Sequence, residues 1–432
     1  MAIISAVGKC LITPKLVAPP ITGKWYPGHY WKLEQWQVEN QSTGLLNTSM
    51  LNTIFAEIAA SPGCLGIKWT TNWGKVENGN WTAINELCKR LYALRTGPSP
   101  KYARLMLAID FKADGVGPGD INQCIPDDLI VEGGFTPNKG GYTAYTKAFP
   151  WAKSSGAVGG YYPKLWDTTI QSRLNSFMQT LANYVPPSCD GLSLDSGDIL
   201  AMVSSLESAP GPIYDTYQGG SQTQFENGLW SFVQNMKLAF TKTPVTMSLN
   251  YSQSFVQDII PQLHAKKIGI NTPNSNFAKG LIRVAAPQGI LKYFEDPAIY
   301  NSLIMNSEIQ GDDFKSDHGI DARDDKLDVL DENPHINGYN FPAYATLLDW
   351  CINRLHNHYT VWQRTLPFWD GGSFSENLQT DDPSYNGGVG TTPYVWPGTR
   401  PSFINFFQTN PIINNVSDPA GGNNSVKPTN WL

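Results

Sequence analysis

Charge is scarce in this 432-residue chain: charged residues make up 16% of it, and the net charge is −6 at pH 7. No run of basic residues occurs, which argues against nucleic acid or an anionic membrane as the main partner. No apolar run approaches the length that spans a bilayer. The short apolar stretch before Lys9 has no charged leader and is not typical of a secretory signal. We therefore expect a soluble protein, extracellular or virion-associated without a recognisable signal peptide, with the cytoplasm as the alternative.

Several functional motifs are also absent. The six cysteines show no C-x-x-C spacing, which argues against a zinc ribbon or a redox motif. Neither G-x-S-x-G nor G-x-x-x-x-G-K-[ST] occurs, which removes the commonest serine hydrolases and P-loop proteins. Without H-E-x-x-H, His356 and His358 are interpreted as structural. The aspartates between 312 and 332 lack EF-hand spacing, so a solvated acidic loop is favoured over a Ca²⁺ site. We expect no metal and no organic cofactor.

Aromatic and apolar residues are plentiful. Hydrophobic residues are 41% of the chain, enough for a large core, and the 14 Trp and 19 Tyr are unusually many. Aromatic faces can stack on the C–H faces of sugar rings, although most of these side chains are expected to pack in the core.

Strand-like and helix-like patterns alternate along the sequence. Eight runs are predicted as strands, each followed by a helical pattern: 28–36, 64–69, 103–111, 191–195, 244–251, 267–271, 300–310 and 359–363. Eight sequential βα units wind with one hand into a closed parallel sheet, so the predicted fold is an α/β (β/α)8 TIM barrel. The eighth helix is the weakest element, with 401–408 as its only candidate.

The domain organisation follows from this pattern. Residues 1–27 form an amino-terminal extension, and 28–365 form the barrel. A Gly/Pro-rich insertion after the third strand, 113–163, is too long for an ordinary connection and is expected to act as a lid or cleft wall. Residues 366–432 form an irregular Gly/Pro/Asn-rich tail that packs on the barrel.

Two carboxylates fall at predicted strand ends. Glu308 ends the seventh strand and Asp195 ends the fourth, and a barrel presents catalytic groups at the carboxyl ends of its strands. Cleavage of a glycosidic bond needs a proton donor and a negative charge near the anomeric carbon, which such a pair provides. Asp198 and Asp110 are alternative proton donors. As structural alternatives, Glu308 could be a loop residue in a salt bridge, and Asp198 could cap a helix.

These strand ends resemble the retaining (β/α)8 glycoside hydrolases of clan A, more the β-galactosidase type than the small cellulases. Ser307-Glu308-Ile309-Gln310 matches the place of that clan's nucleophile. The segment from Lys68-Trp69 to Glu77, with Gly79-Asn80-Trp81, resembles its second strand and exit turn, and Trp362 matches its aromatic platform. The clan's acid is a glutamate after asparagine, whereas this chain has Leu194-Asp195. The shorter aspartate could leave room for a water and favour inversion, but we expect retention.

Further substrate-binding residues are assigned by strand position. Trp69, Asn72 and Trp73 are expected to form a sugar-subsite wall. Asn250, Tyr251 and Asn271 are expected to bind sugar hydroxyls or to orient Glu308. For each of these residues, the alternative is a buried side chain that packs in the core or hydrogen-bonds to the backbone of a loop.

The sequence therefore predicts a glycoside hydrolase that acts on a polysaccharide or glycan, such as a phage depolymerase. The alternative is a non-catalytic carbohydrate-binding or virion structural barrel. Carbohydrate is the expected partner, and homo-oligomerisation or virion assembly fits the second setting.

Overall fold

The protein contains a closed parallel barrel. The computed structural model describes residues 24–40, 44–97, 100–111, 125–129, 142–146, 158–205, 221–249, 253–272, 290–309, 344–363 and 400–432. The barrel strands are β1 (Gly28–Leu33), β2 (Cys64–Asn72), β3 (Arg104–Asp110), β6 (Leu200–Ser205), β7 (Val245–Ser248), β8 (Gly269–Thr272), β9 (Met305–Ile309) and β10 (Tyr359–Gln363). They pair in the order β1-β10-β9-β8-β7-β6-β3-β2, and β2 closes on β1. The predicted (β/α)8 barrel is confirmed.

Helices surround the barrel, as the apolar spacing predicts. They are α1 (Gln35–Val38), α2 (Thr48–Ala60), α3 (Trp73–Glu77), α4 (Thr82–Ala93), α5 (Thr168–Asn183), α6 (Gln222–Ala239), α7 (Gln253–Lys266), α8 (Leu291–Phe294), α9 (Pro297–Tyr300), α10 (Tyr344–Asp349) and α11 (Arg400–Thr409). Two further strands, β4 (Tyr142–Thr146) and β5 (Val158–Pro163), form an antiparallel pair within the 113–163 insertion.

The fourth barrel strand was predicted in the wrong place. The strand is Leu200–Ser205, whereas 191–195 lies outside every strand. In that segment the Leu194 amide donates to the Tyr184 carbonyl, and the Asp195 amide donates to the Ala182 carbonyl. The segment therefore pairs with the end of α5 and not with the sheet. It precedes the strand and lies on the amino-terminal side of the barrel.

The eighth helix lies where the sequence predicted it. Within α11, Phe403 and Phe407 are fully buried, and both rings contact the indole of Trp31 on β1. The Trp362 indole on β10 also packs against them. This helix covers the outer face of the β1–β10 junction and completes the ring of helices.

Aromatic residues fill the barrel from its amino-terminal end. Tyr30 and Tyr359 are fully buried inside it, with their ring centroids 6.0 Å apart. Beneath them the Trp25 ring contacts those of Tyr359 and Trp431. The carboxyl-terminal segment joins this end through the Asn424 amide, which donates to the Asn357 carbonyl. This end is therefore closed by packed side chains, and a ligand site belongs at the other end.

Two buried histidines should make the fold acid-sensitive. His29 accepts from the Trp362 indole N–H through Nδ1, and its Nε2 faces the Gly421 carbonyl, which fits a neutral ring. Burial lowers the pKa of His29 from 6.5 to about 4 and that of His358 to about 3. Below pH 6.5 the unfolded state therefore binds more protons than the folded state, so stability falls as the pH falls.

For His29 alone, the free energy of unfolding should decrease by about 3 kcal/mol between pH 6.5 and pH 4. Urea unfolding at several pH values measures it. A free energy of unfolding that stays constant from pH 7 to pH 4.5 would contradict the prediction.

Candidate active site

Strand β9 places Glu308 inside the barrel at its carboxyl end. The neighbouring side chains point outward: the Ser307 hydroxyl is 3.8 Å from the Cys351 sulfur, and Ile309 packs in the core between sheet and helices. Alternation along a strand then turns Asn306 and Glu308 inward. Glu308 is 4% exposed.

Two lysines on neighbouring strands form ion pairs with the Glu308 carboxylate. The Lys68 ammonium of β2 donates to Glu308 Oε1, and the Lys32 ammonium of β1 lies 3.3 Å from Oε2. The Lys68 side chain is 4% exposed, and that of Lys32 is 20% exposed. Lys32 is therefore the member of this ion-pair cluster that solvent or a ligand meets first.

An amide completes the contacts of Glu308. Asn271 of β8 donates through Nδ2 to Glu308 Oε1 at 3.2 Å and also to the Ser248 hydroxyl. The Ser248 amide in turn donates to the Ser205 hydroxyl at the end of β6. Within the described part of the chain, the buried Asn271 Oδ1 has no hydrogen-bond partner. This oxygen is an unused acceptor beside Glu308 that the surrounding protein encloses.

The electrostatic balance keeps Glu308 ionised. Burial raises its pKa, but the charges of Lys68 and Lys32 and the hydrogen bonds from Lys68 and Asn271 outweigh burial, and the pKa falls from 4.5 to about 2. A carboxylate with this pKa cannot donate a proton at neutral pH. It can act as a nucleophile or stabilise a developing positive charge.

Replacing Lys68 by methionine should raise the pKa of Glu308, because Lys32 and the hydrogen bond from Asn271 then oppose the effect of burial without the charge of Lys68. An opposite charge at this range lowers a carboxyl pKa by about 1 to 3 units, so the pKa of Glu308 should rise to about 3 to 5. The measurement is the chemical shift of the Glu308 carboxyl carbon against pH over the range in which the variant is folded. The control is Lys89→Met, whose side chain is 60% exposed on α4. A Glu308 pKa that does not change in Lys68→Met would refute the electrostatic account.

Asp195 lies at the other end of the barrel, which corrects the predicted pairing with Glu308. Its carboxylate accepts from the backbone amides of Thr241, Lys242 and Thr243, which precede β7, and from the Thr241 hydroxyl. It therefore anchors the loop that enters β7. Because the strand follows Asp195 instead of ending at it, this carboxylate cannot be the proton donor to a group held by Glu308.

Asp198 also lies at the amino-terminal end of the barrel, whereas Asp110 lies at the carboxyl end. The Asp198 carboxylate pairs with the Arg95 guanidinium at 2.5 Å and lies 3.9 Å from that of Arg104, at the start of β3. It is a buried structural ion pair, so Asp198 is also wrong as a proton donor. Asp110 is the last residue of β3 and lies at the same end of the barrel as Glu308, in register with Asn72.

The three tryptophans predicted to contact sugar are buried in the core. Trp69 follows the inward-facing Lys68 and so points outward, where it is 3% exposed. Trp73 is fully buried and donates through its indole N–H to Glu77. Trp362 is fully buried against α11. Each ring faces protein on the outer side of the sheet, so none of them is a sugar platform.

The remaining predicted residues divide into two groups. Asn72 ends β2 at the mouth of the barrel, where its Oδ1 accepts from the Gln35 side chain at 2.7 Å. Asn271 contacts Glu308 directly. Asn250 and Tyr251 lie outside the described residues, as does the acidic stretch 312–332.

The sequence contained a signal for the lysine cluster that was missed. Lys32 and Lys68 each interrupt an otherwise apolar strand, in Tyr30-Trp-Lys-Leu33 and Gly66-Ile-Lys-Trp69. A lysine in a buried strand requires a partner, because burying an unpaired ammonium costs several kcal/mol. The two interruptions therefore indicate an anion inside the barrel.

Solved enzymes show weak structural similarity to this chain. The endo-1,4-β-mannanase of Rhizomucor miehei is 10% identical, with a TM-score of 0.33 over 59% of this chain and 79% of its own. A β-galactosidase from Marinomonas ef1 is 7% identical, with a TM-score of 0.41 over 78% of this chain and 53% of its own. Eubacterium rectale Amy13B is 12% identical, with a TM-score of 0.47 over 95% of this chain and 80% of its own.

No protein-family model and no curated protein matches the sequence. The fold assignment accordingly rests on the strand order, and the similarities carry no assignment of function.

Among the described residues no group of three or more His, Cys, Asp or Glu side chains is arranged to hold a metal ion. No described helix has both the length and the apolar character needed to cross a membrane.

Proposed function

We infer that the protein is a glycoside hydrolase in which Glu308 acts on the anomeric carbon of the sugar. The observation that carries this inference is a buried carboxylate at the carboxyl end of a (β/α)8 barrel, ionised at neutral pH and held by Lys68, Lys32 and Asn271. That end of the fold is where barrel enzymes place their chemistry. A rigid, desolvated carboxylate is suited to attack or to stabilise an oxocarbenium-like carbon.

The reaction consists of two balanced steps. A Glu308 oxygen forms a bond to the anomeric carbon while the bond from that carbon to the departing oxygen breaks, and a general acid protonates that oxygen. Water then cleaves the glycosyl ester, giving its proton to the same group, so the anomeric configuration is retained. Asn271 keeps the Glu308 carboxylate in position during both steps through the hydrogen bond from its Nδ2.

The general acid is a second carboxylate at the same end of the barrel. Asp110 ends β3, four places from β9 in the ring of strands and therefore across the barrel from it. Glu207 follows Ser205, the last residue of β6, by two positions in the sequence and lies outside the described residues. The variants Asp110→Asn and Glu207→Gln distinguish them, because loss of the acid slows substrates with poor leaving groups much more than those with good ones.

A carbohydrate-binding barrel without catalysis is the second candidate. The observation in its favour is the double ion pair of Glu308, since a carboxylate bound by two ammonium groups is also a stable structural element. In that case the mouth would still bind sugar but would not cleave it.

Hydrolysis of a glycan panel tests the proposal. The protein is incubated with neutral and acidic polysaccharides, and new reducing ends are measured in each fraction across its size-exclusion peak, which excludes a contaminating enzyme. Proton NMR of the first sugar released gives its anomeric configuration, and retention is expected. Binding without release on every glycan would favour the second candidate.

A further inference from the structure

One face of α4 packs against the chain segment that follows α5. Trp81, Asn85 and Cys88 are four and three positions apart, so their side chains share that face. The Trp81 indole stacks on the Tyr184 ring with the centroids 3.8 Å apart, and the Tyr184 hydroxyl donates to Asn85 Oδ1 at 2.7 Å. About one turn further along, Cys88 faces Cys189, and a hydrogen bond joins the two thiols. The contacts of α4 therefore bring together two cysteines that lie far apart in the sequence.

The turn that carries Cys189 holds its thiol towards the surface. Pro186 and Pro187 restrict the backbone just before it, and Ser188 adopts a left-handed φ of 63°. Cys189 is partly exposed, whereas Cys88 is fully buried behind it. A reagent in solution therefore reaches Cys189 first.

The surroundings of the two thiols make them chemically unequal. The hydrogen bond from Cys88 and the charge of Arg95 lower the pKa of the Cys189 thiol, although burial and the charge of Asp190 oppose them. The same hydrogen bond and burial raise the pKa of the Cys88 thiol. The thiolate is the nucleophilic form of cysteine. Cys189 is therefore suited to attack first, and Cys88 to react after it.

We propose that Cys189 and Cys88 form a reversible redox couple. Cys189 is the thiol that reacts with a low-molecular-weight disulfide, and Cys88 then closes a bridge that ties α4 to the segment before β6. The couple lies at the closed end of the barrel, away from Glu308, and does not depend on the proposed hydrolysis.

The oxidation consists of two thiol–disulfide exchanges. In the first, the Cys189 sulfur bonds to one sulfur of the small disulfide, whose S–S bond breaks, and one small thiol leaves with the proton from Cys189. In the second, the Cys88 sulfur bonds to the Cys189 sulfur, and the other small thiol leaves with the proton from Cys88. Two protein thiols are oxidised, and one small disulfide is reduced to two thiols.

Peptide mapping of the complete chain tests the bridge. The reduced, folded protein is incubated with oxidised glutathione, its remaining thiols are alkylated, and it is digested with trypsin. Trypsin releases Cys88 in the peptide 76–89 and Cys189 in the peptide 174–237, each with no other cysteine. We expect these two peptides to be joined, and to separate after treatment with a thiol reductant. A Cys189 that keeps glutathione, stays unmodified or pairs with another cysteine would overturn the proposal.

Three variants assign the two roles. Cys88→Ala should accumulate glutathione on Cys189, with at least about a tenfold higher yield of the mixed disulfide than in the original protein, because no second thiol displaces it. Cys189→Ala should leave the enclosed Cys88 unmodified. The control is Cys64→Ala, which removes another buried thiol and should form the bridge as the original protein does. Glutathione on Cys88 in folded Cys189→Ala, or none on Cys189 in folded Cys88→Ala, would overturn the assignment.

Thermal unfolding tests whether the native contacts already place the two thiols for bridging. A bridge that closes a loop of about 100 residues restricts the unfolded chain, so the oxidised protein should unfold at least about 5 °C above the reduced protein. Cys88→Ala should show no such rise after the same treatment. An oxidised protein that is bridged but unfolds no later than the reduced one would mean that bridging distorts the native contacts, and would overturn the proposed couple.

Discussion

A protein carrying Glu308→Gln should hydrolyse glycans at least about 10³-fold more slowly than the original chain, as expected when a nucleophile is removed. Glutamine has nearly the same size as glutamate, and it can still occupy the space beside Asn271. Its neutral amide neither attacks the anomeric carbon nor opposes positive charge on it. The measurement is kcat on the most rapidly cleaved glycan, normalised to the folded fraction by circular dichroism.

A second variant separates a nucleophile from a structural carboxylate. Glu308→Ala opens a space at the anomeric carbon, so added azide should restore turnover and give a glycosyl azide of inverted configuration. The control is Glu295→Gln, because Glu295 forms an exposed ion pair with Arg354, and its side chain is 36% exposed. If Glu308→Gln kept the kcat of the original chain, Glu308 would be only a salt-bridge partner, and the proposed catalytic role would be excluded.

The sequence predicted the barrel because its strands alternate with helices along the chain, and each pattern is local. The misplaced fourth strand shows where a local pattern fails. The segment 191–195 alternates apolar and polar residues like a half-buried strand, yet Leu192 is 44% exposed and Leu194 is fully buried. The true strand, Leu200–Ser205, is buried at every position and begins with a continuous apolar run, as a parallel strand enclosed on both faces does.

The position of Glu308 and a role for Asn271 beside it could be predicted, but the two lysine partners of Glu308 could not. A strand end defines the end of the barrel, and the sequence locates it to within a residue or two. Which face a side chain occupies depends on the phase of the strand, and a shift of one residue exchanges inside for outside. The phase of β2 and β10 turns the side chains of Trp69 and Trp362 outward, away from the interior of the barrel. The contact between Lys68 and Glu308 joins strands 240 residues apart and follows only from the closed order of strands.

Asp195→Ala should destabilise the fold by about 3 to 5 kcal/mol. The carboxylate is 7% exposed and accepts from the amides of Thr241, Lys242 and Thr243, so its removal leaves buried donors without acceptors. Nearby, the buried Lys24 ammonium donates to the Leu194 carbonyl and the Thr243 hydroxyl. Burial lowers the pKa of Lys24 to about 7, while the charge of Asp195 opposes that effect. Loss of Asp195 therefore also favours the neutral form of Lys24, and urea unfolding at pH 6 measures the combined loss of stability.

Activity gives the complementary result for the same variant. Because Asp195 anchors the loop before β7 at the closed end of the barrel, kcat per folded molecule should stay within about twofold of the original value, since a distant residue makes no contact specific to the transition state. The exposed Asp258 on α7 provides the matched control, and Asp258→Ala should change stability by no more than about 0.5 kcal/mol. A stable Asp195→Ala protein that loses its kcat would instead restore Asp195 to the chemistry. On the proposed function, these measurements should therefore separate the two carboxylates, with Asp195 needed for the stability of the barrel and Glu308 for its reaction.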